Sequence, residues 1–150
     1  EVHQVSGFKN NKKNFKPIDD RNLDGFIKFK NGLTATLQNL DMKSYDNFDI
    51  HIFGKKGKLL ISGIGRDILS YKIIPSPEHS GFTELDIKFK RLNKPKPRLQ
   101  FTKLSLNAYD CLVKNAMPLC SAYESYKDMV VIDKIIESSK KESKLMKVKY

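Results

Sequence analysis

The sequence predicts an α+β fold: a mostly antiparallel, open β-sheet of about six or seven strands with two helices packed on one face. Two observations lead to this prediction. Over the first ninety residues, apolar and polar side chains alternate in short runs separated by tight turns, which is typical of half-buried antiparallel strands. After residue 97 the apolar residues recur every three or four positions, as in helices. The 150 residues are predicted to form a single domain, 1–150.

The first predicted strands surround one clear turn. Residues 2–7 form a short strand, and a basic, Asn-rich loop follows at 9–16. Two apolar runs at 23–30 and 33–40 are separated only by Asn31-Gly32. Because both of these residues tolerate the positive φ of a type I′ turn, the sequence predicts a hairpin here.

Four further strands are predicted at 48–53, 58–62, 68–74 and 83–90. Gly54-Lys55-Lys56-Gly57 separates the first strand from the second, and Gly63-Ile64-Gly65 separates the second strand from the third. Pro75, Pro77 and Gly81 mark the loop before the last strand. The regular spacing of strands and turns favours an antiparallel meander.

The helical part follows the stiff connector at 94–97, where two prolines exclude a helix. A first helix is predicted at 102–114 and a second at 122–139, the latter preceded by a capping box of Ser121 and Glu124. The broad apolar band of the second helix predicts burial on more than one side. Leu145 and Val148 indicate a last short strand.

The alternation also predicts which side chains share a face. One face is expected to pack under the two helices, and its members are Leu37, Ile50, Ile52, Leu59, Ile61, Leu85, Ile87 and Phe89. The opposite face is expected to be mixed, with Thr34, Thr36, Gln38, Asp49, His51, Ser70 and Lys72. Such a mixed surface suits a wet subunit interface.

The composition is strongly basic, with 28 Lys or Arg against 17 Asp or Glu and a net charge of +11. Basic proteins often bind nucleic acid, but only four of these residues are arginines, the preferred readers of phosphates and guanine edges. The lysines are scattered, with local density at 88–103 and 134–149. A solvated surface is therefore favoured over an anion-binding function, which stays open.

No residue is assigned a catalytic, cofactor-binding or metal-binding role. Neither glycine turn has the P-loop ending or a following helix, so both are expected to be structural. Asp19-Asp20, Asp41, Asp46 and Asp49 have no evident acid–base partner, and Glu84 and Asp86 lie on the polar side of a strand.

The thiols and imidazoles are likewise expected to be unreactive. Cys111 and Cys120 are predicted to be free, since nothing marks the chain as a disulfide-stapled secreted domain. His3, His51 and His79 have no partner at a ligand spacing, which argues against a metal site.

The order of motifs resembles the C-terminal domain of the Gfo/Idh/MocA oxidoreductases, the relatives of glucose–fructose oxidoreductase and inositol dehydrogenase. Residues 48–59 resemble the family's strand, Gly-Thr-Lys-Gly turn and strand, and 24–33 resemble its strand and Asn-Gly turn. Pro118, Ser121 and Glu124 followed by 130–139 resemble its closing helix. The resemblance extends over nearly the whole chain.

This resemblance implies the substrate-binding and dimerisation half of an NAD(P)-dependent cytoplasmic oxidoreductase acting on a sugar, cyclitol or nucleotide-sugar. In the family, an N-terminal Rossmann domain binds NAD or NADP, and the open face of the sheet commonly forms the dimer interface. The family's Gly-x-Gly-x-x-Gly unit, Glu-Lys-Pro motif and Asp-x-x-x-His helix are not in these residues. We therefore expect the isolated chain to bind no nicotinamide cofactor and to be inactive.

Two other interpretations stay open. The first is a stand-alone basic module that binds nucleic acid or another polyanion, although nucleic acid is the less favoured partner. The second is a natural stand-alone protein of this fold that acts only as an interaction partner. The residues that would contact a substrate are not identified by the sequence. The loops at 9–16 and 62–71 are the candidate regions for such contacts.

Overall fold

A computed structural model describes residues 1–9, 23–40, 47–92 and 99–150. The predicted α+β class is confirmed: all described strand pairs are antiparallel, and two helices follow the seventh strand. The elements are β1 Val2–Lys9, β2 Leu23–Phe29, β3 Thr34–Leu37, β4 Ile50–Gly54, β5 Gly57–Ser62, β6 Asp67–Pro75, β7 Thr83–Arg91, α1 Leu99–Lys114, α2 Ala122–Lys140 and β8 Met146–Lys147.

The chain divides into two compact units, each with one sheet of four strands. Unit 1 comprises residues 1–40 and 110–150, and its strand order is β3-β2-β1-β8. Unit 2 comprises residues 41–109, and its strand order is β4-β5-β6-β7. The described strands thus form two sheets of four where the alternation pattern predicted one open sheet of six or seven.

The core of unit 1 lies between its sheet and α2. Val5, Ile27, Ile135 and Val148 are its buried apolar side chains. Val5 pairs with Ile27 across β1 and β2, so both side chains point to the face on which α2 packs. Burying these side chains supplies the main favourable term for folding of this unit.

A glycine permits α2 to approach β1 closely. A Cβ atom on Gly7 would lie 2.1 Å from the carbonyl oxygen of Ile135, which is closer than any side chain allows. The buried Ser138 side chain joins the same two elements: its Oγ accepts a hydrogen bond from the Gly7 N–H at 2.9 Å and donates one to the Lys144 carbonyl at 2.6 Å. The helix is therefore held to β1 by one specific polar contact within an apolar interface.

The predicted start of α2 is confirmed. The Ser121 side chain accepts from the backbone N–H of Glu124 at 3.1 Å, and the Glu124 carboxylate accepts from the backbone N–H of Ser121 at the same distance. This capping box satisfies two N–H groups that the first turn leaves without helical partners. The predicted burial of α2 on more than one side is wrong, since Tyr126 and Met129 are exposed.

The Asn31-Gly32 hairpin forms, but its turn differs from the predicted type I′. Only Gly32 has a positive φ, of 86°. Its N–H donates to the Phe29 carbonyl at 3.1 Å, and the Phe29 N–H donates to the Leu33 carbonyl at 2.8 Å. This is the three-residue loop in which a left-handed glycine follows a tight turn and forms a bulge.

Unit 2 is a continuous meander whose register overturns part of the predicted face assignment. Ile50 and Ile52 pair with Ile61 and Leu59 on one face, as expected. Ser70 pairs with Leu59, and Lys72 pairs with Gly57, so these two polar residues share the apolar face. Phe89 pairs with Tyr71 and lies on the opposite face from the one predicted. The β6–β7 pairing is irregular between Tyr71 and Ile73, which a count of alternating residues cannot reveal.

The expected burial of the long apolar face is also wrong. No residue of the four strands in unit 2 is fully buried, and Ile87 is 91% exposed. In α1, which spans the boundary between the units, the apolar side chains of Leu104 and Leu112 are exposed as well. Full burial among the described residues is confined to β1, β2, α2 and the C-terminal residues that follow it.

Candidate functional site

One face of the unit 2 sheet carries a row of aromatic and basic side chains across all four strands. Phe53 pairs with Lys58, Lys58 with Tyr71, and Tyr71 with Phe89, so the four residues point to the same side. We call these four residues the aromatic row, and the side of the sheet that bears them the aromatic face.

Lys58 is the centre of the aromatic row. Its ammonium nitrogen lies 5.5 Å from the Phe53 ring centroid and 5.3 Å from the Tyr71 ring centroid. The rings of Tyr71 and Phe89 lie 5.9 Å apart in a tilted arrangement. A cation held over two aromatic rings has a restricted position, which lowers the entropy cost of engaging an anion.

The end of the aromatic face opposite the hairpin turn carries the Asp49 carboxylate and one ion pair. Asp49, just before β4, accepts a hydrogen bond from the Ser62 hydroxyl, and this bond lowers the pKa of the Asp49 carboxyl, with smaller contributions from Asn47, the Gly63 backbone and the charge of His51. Asp67 forms an ion pair with Arg91. The His51 ring stacks on Phe53 at 6.3 Å between centroids and thereby joins this end to the aromatic row.

A groove of about 320 Å³ lies at the β4–β5 hairpin and the adjoining part of β6. Ile52 and Leu59 line it, together with the turn Gly54-Lys55-Lys56-Gly57, Lys58, Ser70 and Tyr71. The volume is at the lower end of the range typical of small-molecule sites.

The two glycine turns are structural in the way the sequence indicated. Lys55 and Lys56 form the loop of a hairpin closed by the Gly54–Gly57 pair, and a strand follows rather than a helix. Gly57 has a φ of 140°, and a Cβ there would lie 2.1 Å from the Tyr71 carbonyl oxygen. At the second turn, Gly63, Ile64 and Gly65 all have positive φ.

The remaining candidate residues are dispersed. Asp19-Asp20, Asp41, Asp46 and most of the loop at 9–16 lie outside the described residues. Glu84 accepts a hydrogen bond from the Ser76 hydroxyl, and Asp86 accepts one from the Lys88 N–H, both at the exposed surface. Both cysteines are free, Cys111 half-buried and Cys120 exposed. In the part of the chain that the structure describes, no three metal-ligating side chains come together.

A nicotinamide cofactor does not fit the architecture of the described residues. Dinucleotides bind where a parallel strand leads through a glycine-rich turn into a helix. Every described strand pair is antiparallel, and both described helices follow the seventh strand. Neither described helix is long and apolar enough to cross a bilayer.

The aromatic row was not predicted from the sequence, although one signal for it was present. Phe53 and Lys58 stand at equal distances on either side of the Gly54–Gly57 pair, so a hairpin there must place them opposite each other. No comparable signal predicts the pairing of Tyr71 with Phe89, because a long loop joins β6 to β7 and the register between these strands is irregular.

No family model and no curated protein matches the sequence. Solved structures do match. An oxidoreductase domain protein from Kribbella flavida is 15% identical with a TM-score of 0.73, over 100% of this chain and 45% of that one. The chain thus shares its fold with part of an oxidoreductase domain protein. The match confirms, at the level of the fold, the predicted resemblance to a domain of an oxidoreductase.

Two further structures are informative for what they contain. Levoglucosan dehydrogenase, in complex with NADH and L-sorbose, is 16% identical with a TM-score of 0.67, over 99% of this chain and 45% of that one. The WlbA dehydrogenase from Bordetella pertussis, in complex with NADH and UDP-GlcNAcA, is 12% identical with a TM-score of 0.61, over 99% and 39% respectively. This chain thus spans less than half the length of the oxidoreductases whose fold it shares.

Proposed function

We propose that this chain is the C-terminal substrate-binding and oligomerisation domain of a cytoplasmic, NAD(P)-dependent Gfo/Idh/MocA oxidoreductase. One observation carries the proposal: the whole chain matches 45% of an oxidoreductase domain protein with a TM-score of 0.73. A nucleotide-binding domain of ordinary size would account for the remaining length of such an enzyme. In this proposal NAD or NADP is held by that other domain.

The proposed substrate is a sugar, cyclitol or nucleotide-sugar. The support comes from the two similar structures that contain carbohydrate ligands, L-sorbose and UDP-GlcNAcA, beside NADH. The function assigned to this chain is to bind and orient the carbohydrate, while hydride transfer takes place at the cofactor. The 150 residues alone are expected to be inactive.

The size of the native protein in its source cells tests this proposal first. An antibody raised against this chain would detect, on an immunoblot, a band of at least about twice 17.3 kDa, as an added domain of ordinary size requires. A band at 17.3 kDa would contradict the proposal, because the cell would then use this domain alone.

Cofactor titration tests the division of labour between the two domains. Calorimetry of the 150-residue chain with NAD⁺ and with NADP⁺ is expected to give no heat of binding. A dissociation constant in the micromolar range would contradict the proposal, since the antiparallel sheets described here would then bind a dinucleotide without the usual architecture.

We also propose that the chain forms a homodimer through the aromatic face. Phe53 is 72% exposed on this face, and Phe89 is half-exposed beside it. Acidic Asp49 at one end and basic Lys58 at the other make the face self-complementary under a twofold axis, which sets each end against the opposite charge of the partner. Exposed aromatic rings at the centre of such a face are typical of interface anchors.

The oligomeric state of two matched variants tests this dimer. Phe53→Glu is expected to weaken the dimer at least about tenfold, because a carboxylate would be buried at the interface. Phe82→Glu is the control, since Phe82 is 71% exposed in the β6–β7 loop and should leave association unchanged. Sedimentation equilibrium measures both. A clean monomer of the parent chain at high micromolar concentration would contradict the proposal.

A stand-alone polyanion-binding module is the second candidate, favoured by the net charge of +11. It predicts retention on heparin and an affinity for oligonucleotides that falls steeply with salt. Elution from heparin below about 0.2 M salt, the range of weak non-specific binding, would count against it.

A further inference from the structure

The connection between α1 and α2 has a high density of exposed apolar side chains. We call residues 112–129, all of which belong to unit 1, the helix connection. Seven large apolar side chains are exposed within it: Leu112, Val113, Met117, Leu119, Tyr123, Tyr126 and Met129. The other described residues of unit 1 are more than twice as many and have five. Such a concentration of apolar surface is typical of a binding site for another protein.

The helix connection is held by its own hydrogen bonds. Asn115 follows the end of α1 with a positive φ of 51°, and the Ala116 N–H donates to the Asp110 carbonyl at 3.2 Å. The capping box of Ser121 and Glu124 then starts α2. The exposed side chains therefore project from two helix ends and the turn that joins them, a scaffold that is formed before any partner binds.

The core of unit 1 uses the second half of α2. Ile135 is buried in this core, and Val130 and Val131 pack against it. The first half of the helix instead bears Tyr123 and Tyr126, whose rings stack at 6.4 Å between centroids and are both more than half exposed. A partner can therefore contact the first half of α2 without any change in the core of unit 1.

The charge of the helix connection indicates the chemistry of its partner. Lys114 and Lys127 are balanced by Glu124 and Asp128, so the connection is neutral within a chain of net charge +11. A polyanion would be attracted to the basic parts of the chain rather than to this one. Tyrosine and methionine are enriched, and charged residues are depleted, where two proteins bury apolar surface. The connection therefore fits the apolar face of a folded protein domain.

We propose that the helix connection docks on the nucleotide-binding domain of the parent oxidoreductase, an inference that rests on the function proposed above. This occupant is favoured because nearly the whole chain corresponds to only 45% and 39% of two similar oxidoreductases. A domain in the same polypeptide has a high effective concentration, so an interface of modest size suffices. Docking would bury Leu112, Met117 and Leu119, which are 85%, 84% and 75% exposed here.

Hydrogen exchange of the full-length protein from its source cells, compared with that of the 150-residue chain, tests the docking. The amides of residues 112–129 are expected to exchange at least about tenfold more slowly in the full-length protein, because their opening would first require the other domain to undock. The β2–β3 hairpin, residues 29–37, is the internal control and should exchange within about twofold of its rate in the chain. An equal slowing in the hairpin would overturn the assignment of the contact to the helix connection.

A charged substitution tests the surface itself. Met117→Asp would place a carboxylate in the buried interface, so residues 112–129 of the full-length protein should exchange within about twofold of their rate in the 150-residue chain. Leu33→Asp is the matched control, since Leu33 is an exposed apolar side chain in a turn of the same unit, and it should leave the protection intact. In the 150-residue chain neither variant should change the urea midpoint, because both side chains are exposed. Protection that survives Met117→Asp would overturn the proposal.

The outcomes separate this surface from the proposed function. If the full-length protein binds NAD or NADP while residues 112–129 exchange as fast as in the chain, the docking is wrong and the oxidoreductase assignment stands. If these residues are protected in a larger protein that binds neither cofactor, both the named occupant and the oxidoreductase assignment are wrong. Weaker self-association of the Met117→Asp chain than of the Leu33→Asp chain, measured by sedimentation equilibrium, would give the surface to a second copy. Slower exchange of these residues in the chain with phosphatidylcholine vesicles would give it to a lipid surface.

Discussion

The two sheets have four strands each, but they differ in how deeply their side chains are buried. In unit 1, α2 packs on β1 and β2, and Val5 and Ser138 have no exposed surface. In unit 2, every strand residue keeps some exposed surface, including isoleucines and phenylalanines on both faces. The difference indicates that unit 1 supplies most of the folding free energy, whereas unit 2 has surface available for binding.

A side chain at Gly7 should have the largest effect. Gly7→Val would place Cβ 2.1 Å from the Ile135 carbonyl oxygen, so α2 could not remain on β1. We expect a loss of about 3 kcal/mol or more in the free energy of unfolding, measured by urea denaturation. Gly54→Val in unit 2 is the control, because its nearest neighbour would be 3.7 Å away. Equal losses in both variants would remove the distinction between the units.

Matched isoleucines sharpen the same comparison. Ile135→Ala removes a buried side chain and is expected to cost about 2–4 kcal/mol. Ile52→Ala removes a side chain that is 48% exposed and is expected to cost less than about 1 kcal/mol. If the Ile52 variant were as unstable as the Ile135 variant in the same denaturation experiment, the exposed face of unit 2 would have to be covered in solution.

The polar contact between α2 and β1 should have an intermediate effect. Ser138→Ala leaves the Gly7 N–H and the Lys144 carbonyl without their partner in a buried place, at an expected cost of about 1–3 kcal/mol. Hydrogen exchange of the Gly7 amide should become faster. Ser139→Ala is the control, since the Ser139 hydroxyl donates to the Ile136 carbonyl of its own helix. An unchanged exchange rate at Gly7 would contradict the assigned role of Ser138.

The smallest expected effect is a pH dependence at the end of α2. Hydrogen bonds from Lys134 and Lys141 lower the pKa of Glu137 from 4.5 to about 2. Because the folded state favours the carboxylate, its stabilising contribution is complete above pH 4.5 and is lost as the pH falls toward 2. Glu137→Gln should therefore have a lower melting temperature than the parent at pH 6 and the same one near pH 2. Glu142→Gln removes an equal charge and should show no such convergence.

Most of the fold could be predicted from local sequence patterns. The turn residues and the period of apolar side chains place the described strands and both helices close to their observed bounds, and the capping box of Ser121 and Glu124 forms as predicted. Pairing between distant segments could not be predicted in this way. Ser70 and Phe89 change faces because they pair with Leu59 and Tyr71 respectively, and no count of alternating residues contains that register.

The site was less predictable than the fold for the same reason. Lys58 and Phe53 are five positions apart, and their pairing follows from one hairpin. Tyr71 and Phe89 complete the aromatic row only because β6 and β7 meet in one particular register.

The order of the segments along the chain has a consequence for biosynthesis. Unit 2 is one continuous stretch, residues 41–109, whereas unit 1 joins residues 1–40 to residues 110–150. On a ribosome, the meander of unit 2 can form before Ile135 and Ser138 have been translated. β1 can pack against α2 only after that. β1 is therefore translated before unit 2 but completed after it, and until then its apolar side chains are a place where a nascent chain would benefit from a chaperone.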